Sequence, residues 1–257
     1  MREAVMYRYS RRKWLQSSAA LIVSSYVAGC SGIIAQPSRG MRIVFYTDVH
    51  AMMKRGAANA VLLAAQSINE LKPDLIIGGG DYIDGGFGGT NASMEPHWEL
   101  YMSMHSAMNA PIYPAIGNHD LVAVQPKDGS QPNSDPRQMY KQHLGLQETW
   151  YSFDDSGYHF IVLDSMNIIG GNEGYEGRLS GTQIAWLIED LARTEKSTPI
   201  IVTLHMPLLT SLFAVTDGNL RGAPANRVMV DNVEILKLFN EHNLLLVLQG
   251  HLHIAEV

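Results

Sequence analysis

Carboxylate, imidazole and amide side chains gather in five short clusters along this 257-residue chain: Asp48-Val49-His50, Gly80-Asp81-Tyr82-Ile83-Asp84-Gly85-Gly86, Gly117-Asn118-His119-Asp120, His205-Met206-Pro207 and Gly250-His251-Leu252-His253. Hard oxygen donors mixed with imidazole suit Zn, Mn or Fe rather than a soft, thiolate-seeking ion, and the only cysteine, Cys30, lies outside this region. Asp48, His50, Asp81, Asn118, His205, His251 and His253 make seven candidate metal ligands, more than one four- or six-coordinate ion needs once water takes a place. With Asp81 bridging, two ions share them about evenly. Two ions roughly 3.5 to 4 Å apart can clamp a phosphoryl group and hold a hydroxide for in-line attack, the pKa of the bound water falling to near 7. Taken singly, Asp48, His205 or His253 reads as a cap or a satisfied core group; recurrence after successive strands is what points to ligation.

The frame that must position these groups is a repeating one. From Met41, short apolar runs alternate with longer amphipathic ones: Arg42 to Thr47, Gly56 to Leu71, Leu75 to Gly78, Glu95 to Asn109, Ile112 to Ile116. Strand, helix, strand, helix, strand predicts an α/β domain with a largely parallel layered sheet, whose ligand sites sit at the C-terminal strand ends. Trp98, Tyr101, Met102, His105 and Met108, spaced by threes and fours, predict one buried helical stripe. Trp150 to Phe153 and Tyr158 to Asp164 read as a hairpin around Asp154-Asp155-Ser156-Gly157. A helix over Thr182 to Ala192, opened by Ser180 or Gly181, is followed by a strand over Pro199 to Leu204, a helix over Asp231 to Glu241 and a last strand over Leu244 to Leu248. Gly86-Phe87-Gly88-Gly89 lacks the G-x-G-x-x-G spacing of a nucleotide fingerprint and is expected to form a flexible loop over the site. His97, His105, His143, His159 and His242 read as structural or surface residues, with His97 alone retaining a small chance of lining the pocket. Arg221, in the loop from Met206 to Asn226, carries the planar fork that matches a phosphate, although a solvated loop arginine is the plainer reading.

A hydrophobic fraction of 46% with 17% charged residues excludes disorder and collagen-like repetition and supplies material for one large core. Five basic residues against one acid give the first 29 residues a charge of +4, so the remaining 228 carry −10 of the overall −6. An acidic body has no electrostatic footprint for nucleic acid, and any phosphate it handles needs metal help. Arg11-Arg12-Lys13-Trp14-Leu15 before a short apolar run resembles a bacterial twin-arginine export signal, with Trp14 where Phe is usual. Val27-Ala28-Gly29-Cys30 resembles a lipoprotein cleavage box in which Cys30 is acylated; cleavage elsewhere, for instance after Ala35, is the plainer alternative. The expected organisation is a signal over 1–29, a tether over 30–40 and a catalytic domain over 41–257. The expected location is outside the cytoplasm, on a lipid anchor or, without lipidation, as a soluble periplasmic protein.

Taken together, D-x-H, G-D-x-x-D-x-G, G-N-H-D, an isolated His after a strand, and G-H-x-H resemble the signature of the calcineurin-like metallophosphoesterases, complete and in order over residues 48 to 253. The resemblance implies a four-layer α/β/β/α sandwich. It also implies two divalent or trivalent ions (Mn, Fe or Zn), one held by Asp48, His50, Asp81 and His253, the other by Asp81, Asn118, His205 and His251. His119 would protonate the leaving oxygen, with Asp84 and Asp120 as supports. Purple acid phosphatases have D-x-G and a ligating Tyr where this chain has His50 and Asp84, and protein serine/threonine phosphatases place an Arg at Gly85 and a Glu at Asp120. What remains is a small exported phosphoesterase acting on a phosphomonoester or phosphodiester through a two-metal-activated hydroxide, with cyclic-nucleotide phosphodiesterases nearest in motif style. The rival is a catalytically weak scaffold on the same fold. Family members continue after G-H-x-H with further strands, so the chain reads as truncated or short at its C-terminus, with His253 four residues from the end and held loosely.

Overall fold

A computed structural model describes residues 40–170, 174–218 and 222–256. The expected signal, Cys30 and nearly all of the tether lie outside these, as does Arg221. Among the described residues no helix is long and apolar enough to cross a membrane.

Strands β1 (Ile43–Tyr46), β2 (Leu75–Gly78) and β3 (Ile112–Pro114) form a parallel sheet in that order, linked by helices α1 (Ala57–Glu70) and α2 (Asn91–Ala107). After α3 (Gln138–Leu144), a second sheet runs β4 (Tyr151–Asp155), β5 (Tyr158–Val162), β8 (Pro199–Thr203), β9 (Asn243–Leu248). Only β4 and β5 are antiparallel within it. A separate hairpin, β6 (Met166–Gly170) with β7 (Gly174–Gly177), precedes α4 (Gly181–Arg193); α5 (Leu212–Thr216) and α6 (Asn232–Leu238) lie between β8 and β9.

Alternation along the strands makes the layers. Leu75 and Ile77 of β2 meet Phe160 of β5 and Ile201 of β8 in a core between the sheets, with Phe45, Tyr113, Phe153 and Leu246 packed around them. The intervening residues turn outward: Val44 and Ile76 join Val61, Ala65, Trp98, Tyr101 and Met104 of α1 and α2, while Ile200 and Val202 join Leu187 and Leu191 of α4 and Ile235 of α6. The result is the expected four-layer α/β/β/α arrangement.

Three expectations need correction. Helix α2 starts at Asn91 rather than Glu95, because Thr90 caps it by accepting the Ser93 N–H while Ser93 returns a contact to the Thr90 N–H. The hairpin β6–β7 and the short helices α3 and α5 lack strong periodicity and were not anticipated. Gly86-Phe87-Gly88-Gly89 is not a loose loop: Gly86–Gly88 is a 3-10 turn whose three carbonyls accept from Ala123, Gln125 and Lys127, and a Cβ at Gly86 would lie 2.2 Å from the His119 carbonyl.

Candidate active site

The two sheets bring the C-terminal ends of β1, β2, β3, β8 and β9 together, and all seven candidate ligands meet there. Beyond the strands the loops remain tied: Asp48 N–H donates to Gly80 O at 3.0 Å, His50 N–H to Asp81 O at 2.9 Å, and Gly250 N–H to His205 O at 3.0 Å. Glycines stand immediately before Asp81, Asn118 and His251 and permit that approach. A Cβ at Gly117 would lie 2.3 Å from Asp81 Oδ1, and one at Gly250 would lie 2.3 Å from Thr47 Oγ1.

The buried half of the cluster contains Asp81, Asn118, His205 and His251, all under 7% exposed. His205 donates from Nδ1 to Gly79 O at 2.8 Å, and His251 donates from Nε2 to Asn226 O at 2.9 Å. When the ring is neutral, each therefore presents its other nitrogen as a lone pair. His205 Nε2 lies 3.2 Å from Asp81 Oδ2, 3.2 Å from Asn118 Oδ1 and 3.3 Å from His251 Nδ1. The outer half is Asp48, His50 and His253: the Nε2 atoms of the two rings are 3.0 Å apart, and His253 Nε2 is 3.2 Å from Asp48 Oδ1. Asp81 links the halves, with Oδ2 3.6 Å from His50 Nε2. The His253 side chain is 43% exposed and that of His205 0%, so burial falls steadily across the cluster.

This donor set fits cations. Lone pairs of carboxylate, amide and imidazole converge, and the backbone holds the rings in the tautomers that ligation requires. Asp48, His50, Asp81, His251 and His253 all adopt left-handed φ values between 46° and 72°. Such conformations cost on the order of 1–3 kcal/mol each and persist where surrounding structure enforces them, often at functional sites. Charge follows the geometry. Burial works against the Asp81 carboxylate, but His205 and the His119 amide hold it well below the usual carboxylate range. Burial likewise opposes a charge on His205, and Asp81, Asp48 and the Gly79 carbonyl outweigh it, raising His205 to about 9. Burial and the neighbouring His205 push His251 down to about 4.

Asp120 and Asp84 both contact the loops that carry the candidate ligands. Asp120 is fully buried and accepts the N–H groups of Asp81 (2.8 Å), Tyr82 (2.8 Å), Ile83 (3.3 Å) and Gly117 (2.9 Å), fixing the loops that carry Asp81 and Asn118. His119 donates its backbone N–H to Asp81 Oδ1 at 2.7 Å. Its Nδ1 lies 2.9 Å from Asp84 Oδ1 and 3.0 Å from Gly85 N. The neutral ring can accept the Gly85 N–H, and the protonated ring can donate to Asp84. Burial is the largest influence on His119 and its pKa is lowered overall, although Asp81 and Asp84 push the other way.

His50, Asp81, Asp84, Asn118, His119, His251 and His253 line one side of a cavity of about 530 Å³, and Tyr175, Asn226 and Arg227 complete it. The sequence pattern did not reveal those three. Arg221, the loop arginine that the sequence suggests, lies outside the described residues; Arg227, six residues on, lines the cavity. Of the remaining histidines, His97 contacts the Asp84 carbonyl at 3.1 Å but does not line the cavity, and His143 stacks on Trp98 at 5.2 Å.

A model of the calcineurin-like phosphoesterases matches residues 41–255. The chain belongs to that family. As a calcineurin-like phosphoesterase it shares its fold with a dimetal phosphatase from Danio rerio (TM-score 0.56, 14% identity, 81% of this chain and 80% of that one). It is also similar to a purple acid phosphatase from yellow lupin seeds (TM-score 0.54, 17% identity, 82% of this chain and 37% of that one) and to a phosphopantetheinyl hydrolase from Mycobacterium tuberculosis (TM-score 0.50, 16% identity, 83% of each). At these identities the likeness concerns the fold. No curated protein sequence matches the chain. Membership in the family makes it a metal-dependent phosphoesterase in general terms, with clustered His and Asp side chains that could hold metal.

Proposed function

We propose that this protein hydrolyses a phosphoester with two divalent cations, one held by Asp81, Asn118, His205 and His251 and the other by Asp48, His50, Asp81 and His253. The convergence of lone pairs around His205 Nε2, paired with the facing Nε2 atoms of His50 and His253, carries this reading. When bound, such ions supply Lewis-acid polarisation of the phosphoryl group and make water a better nucleophile at neutral pH. The chain's own residues do the rest. Asp81 aligns the halves of the site and, through the His119 amide, sets the position of the neighbouring acid. Asp84 holds the His119 ring through Nδ1 and leaves Nε2 for the cavity, where a proton can pass to the departing oxygen. Asp120 keeps the supporting loops rigid.

The test is reconstitution of the purified chain with Mn or Zn, followed by metal analysis and assay on phosphomonoester and phosphodiester panels. Two ions per chain with turnover of at least one ester class is the expected result. Tight metal binding with no turnover of any ester would establish the scaffold instead.

A further inference from the structure

The metal-ligand cluster accounts for only part of the cavity. The rest is built by β7 and the segment 222–230, and its cation is not placed by any of the five motifs. Arg227 lines the cavity, and its guanidinium has no hydrogen-bond or ion-pair partner among the described residues. It is not on a loose strap. Arg227 N–H donates to Pro224 O at 2.9 Å, Gly177 N–H to Ala225 O at 2.8 Å, Met229 N–H to Pro207 O at 2.9 Å and Val230 N–H to Gly177 O at 2.8 Å. A Cβ at Gly177 would lie 2.6 Å from Val228 O, so β7 and this segment are in close contact. The carbonyl of the adjacent Asn226 receives the His251 ring N–H, which places the segment in register with the ligand cluster. Tyr175 stands beside Arg227 on β7, its ring 5.6 Å from that of Phe87, and its hydroxyl also lacks a hydrogen-bond partner among the described residues. The charge of Arg227 is felt at both Tyr175 and His251.

We propose that Arg227 and Tyr175 form an anion-recognition wall that selects phosphomonoester dianions over phosphodiesters. This rests on the phosphoesterase reading above and narrows its substrate class. Arg227 is exposed at the edge of the polar cavity, and without a protein partner among the described residues its guanidinium is available to an oxyanion there, since charge-assisted and bidentate contacts to phosphate are its strongest pairings. A monoester offers three terminal oxygens and two negative charges; a diester offers two oxygens and one charge. After the ligand-cluster side of the cavity has engaged the oxygens facing it, only the monoester keeps a further charged oxygen for Arg227, which the Tyr175 hydroxyl can also reach as donor. A diester would place an ester substituent against that wall and leave the guanidinium unmatched.

The experiment uses the Mn-loaded full chain with 4-nitrophenyl phosphate and bis(4-nitrophenyl) phosphate, which share a leaving group, and with inorganic phosphate as a binding probe in calorimetry. The parent is expected to prefer the monoester. In Arg227→Gln, kcat/KM for the monoester should fall about 10- to 100-fold, the scale of a hydrogen bond to a charged group, and the diester should fall several-fold less. Phosphate affinity should weaken by a similar factor while bound Mn stays as in the parent. Arg227→Lys should recover part of the loss, and Tyr175→Phe should show a smaller loss of the same kind. Equal falls for the two esters, or unchanged phosphate affinity in Arg227→Gln, would overturn the proposal. If the parent turns over neither ester, the phosphoesterase reading fails by itself, and phosphate binding still decides the wall: loss in Arg227→Gln supports it, and equal binding or no binding by the parent removes it.

Discussion

The chain builds two clusters from the same kinds of residue and uses their lone pairs in opposite ways. At the edge formed by β4, β5 and α4, His159 uses both ring nitrogens: Nδ1 on Asp154 Oδ1 and Nε2 on Asp190 Oδ2, each at 2.8 Å, while Asp190 Oδ1 accepts the Ser152 hydroxyl at 2.8 Å. Two carboxylates around one ring favour the imidazolium, and every member has a partner. At the C-terminal strand ends, His205 and His251 each use one nitrogen on a backbone carbonyl, and in the neutral ring turn the other toward acceptors that cannot satisfy it. The closed network ties a hairpin to a helix. The open one is favourable only with cations or protons among its acceptors. Residue type does not distinguish the two clusters; the pairing of each nitrogen does.

The largest expected break in that contrast is Asp81→Asn. It removes the carboxylate shared by both halves, so metal content should drop from two ions per chain and activity should fall by more than the roughly 10- to 100-fold typical of losing a supporting residue. Elemental analysis beside kinetics decides it, and a variant with the parent's metal content would argue against a bridging role. Next comes His119→Ala, with metals retained and esters of poor leaving groups slowed by about 10²- to 10⁴-fold. Nitrophenyl esters should suffer less; equal slowing of alkyl and nitrophenyl esters would make His119 a positioning residue. Within the open cluster, the outer set Asp48, His50 and His253, of which His253 is exposed, should lose its ion to a chelator first, with about tenfold weaker affinity than the buried set. Stepwise metal titration followed by calorimetry tests this, and two indistinguishable sites would contradict the burial gradient.

The closed cluster should respond in stability instead. His159→Gln is expected to leave turnover as in the parent and to cost about 1.5–3 kcal/mol, the scale of hydrogen bonds to charged groups, in urea denaturation. Asp190, against the burial of the His159 ring itself, and Asp154 raise the His159 pKa above its ordinary value. A raised folded-state pKa means that the stabilisation is complete below the unfolded value near 6.5 and is lost as pH climbs through the folded one. The gap between parent and variant should thus be widest below the unfolded value and shrink as pH rises above it; a gap that widens with pH would contradict the pairing. The smallest effect belongs to Asp154→Asn, since that side chain is 81% exposed and exposed pairs contribute about 0–1 kcal/mol. A loss as large as that of His159→Gln would show the cluster to be more closed to solvent than its geometry indicates.

Much of this was legible in the sequence because the fold and the inner site obey local rules. Periodicity set the order of strands and helices through β3, the hairpin β4–β5 and the strands β8 and β9. The ligands follow strand ends directly, so their convergence was implied once a layered sheet was. The glycines at 80, 117 and 250 were readable as parts of motifs, although their reason, the near contact of neighbouring loops, appears only in three dimensions. The β6–β7 hairpin escaped because its strands are short and its polarity does not alternate cleanly.

By itself the sequence determined the family, the layered α/β architecture and the identities of the residues that can hold metal, since each depends on residue type, local spacing and strand polarity. The tertiary structure alone decided which half of the cluster is buried, which nitrogen of each ring is free, and which residues complete the cavity. Tyr175 and Arg227 belong to no motif; they reach the site through backbone contacts of β7 with a segment about 50 residues away, such as Gly177 with Ala225. His159 lies within β5 rather than after a strand end and so reads as structural in sequence, but only the structure shows Asp190, 31 residues on, taking its second nitrogen. Hydrogen bonds between distant segments leave no periodic trace in the chain, and they decide whether a polar group is closed by the fold or left open for a ligand.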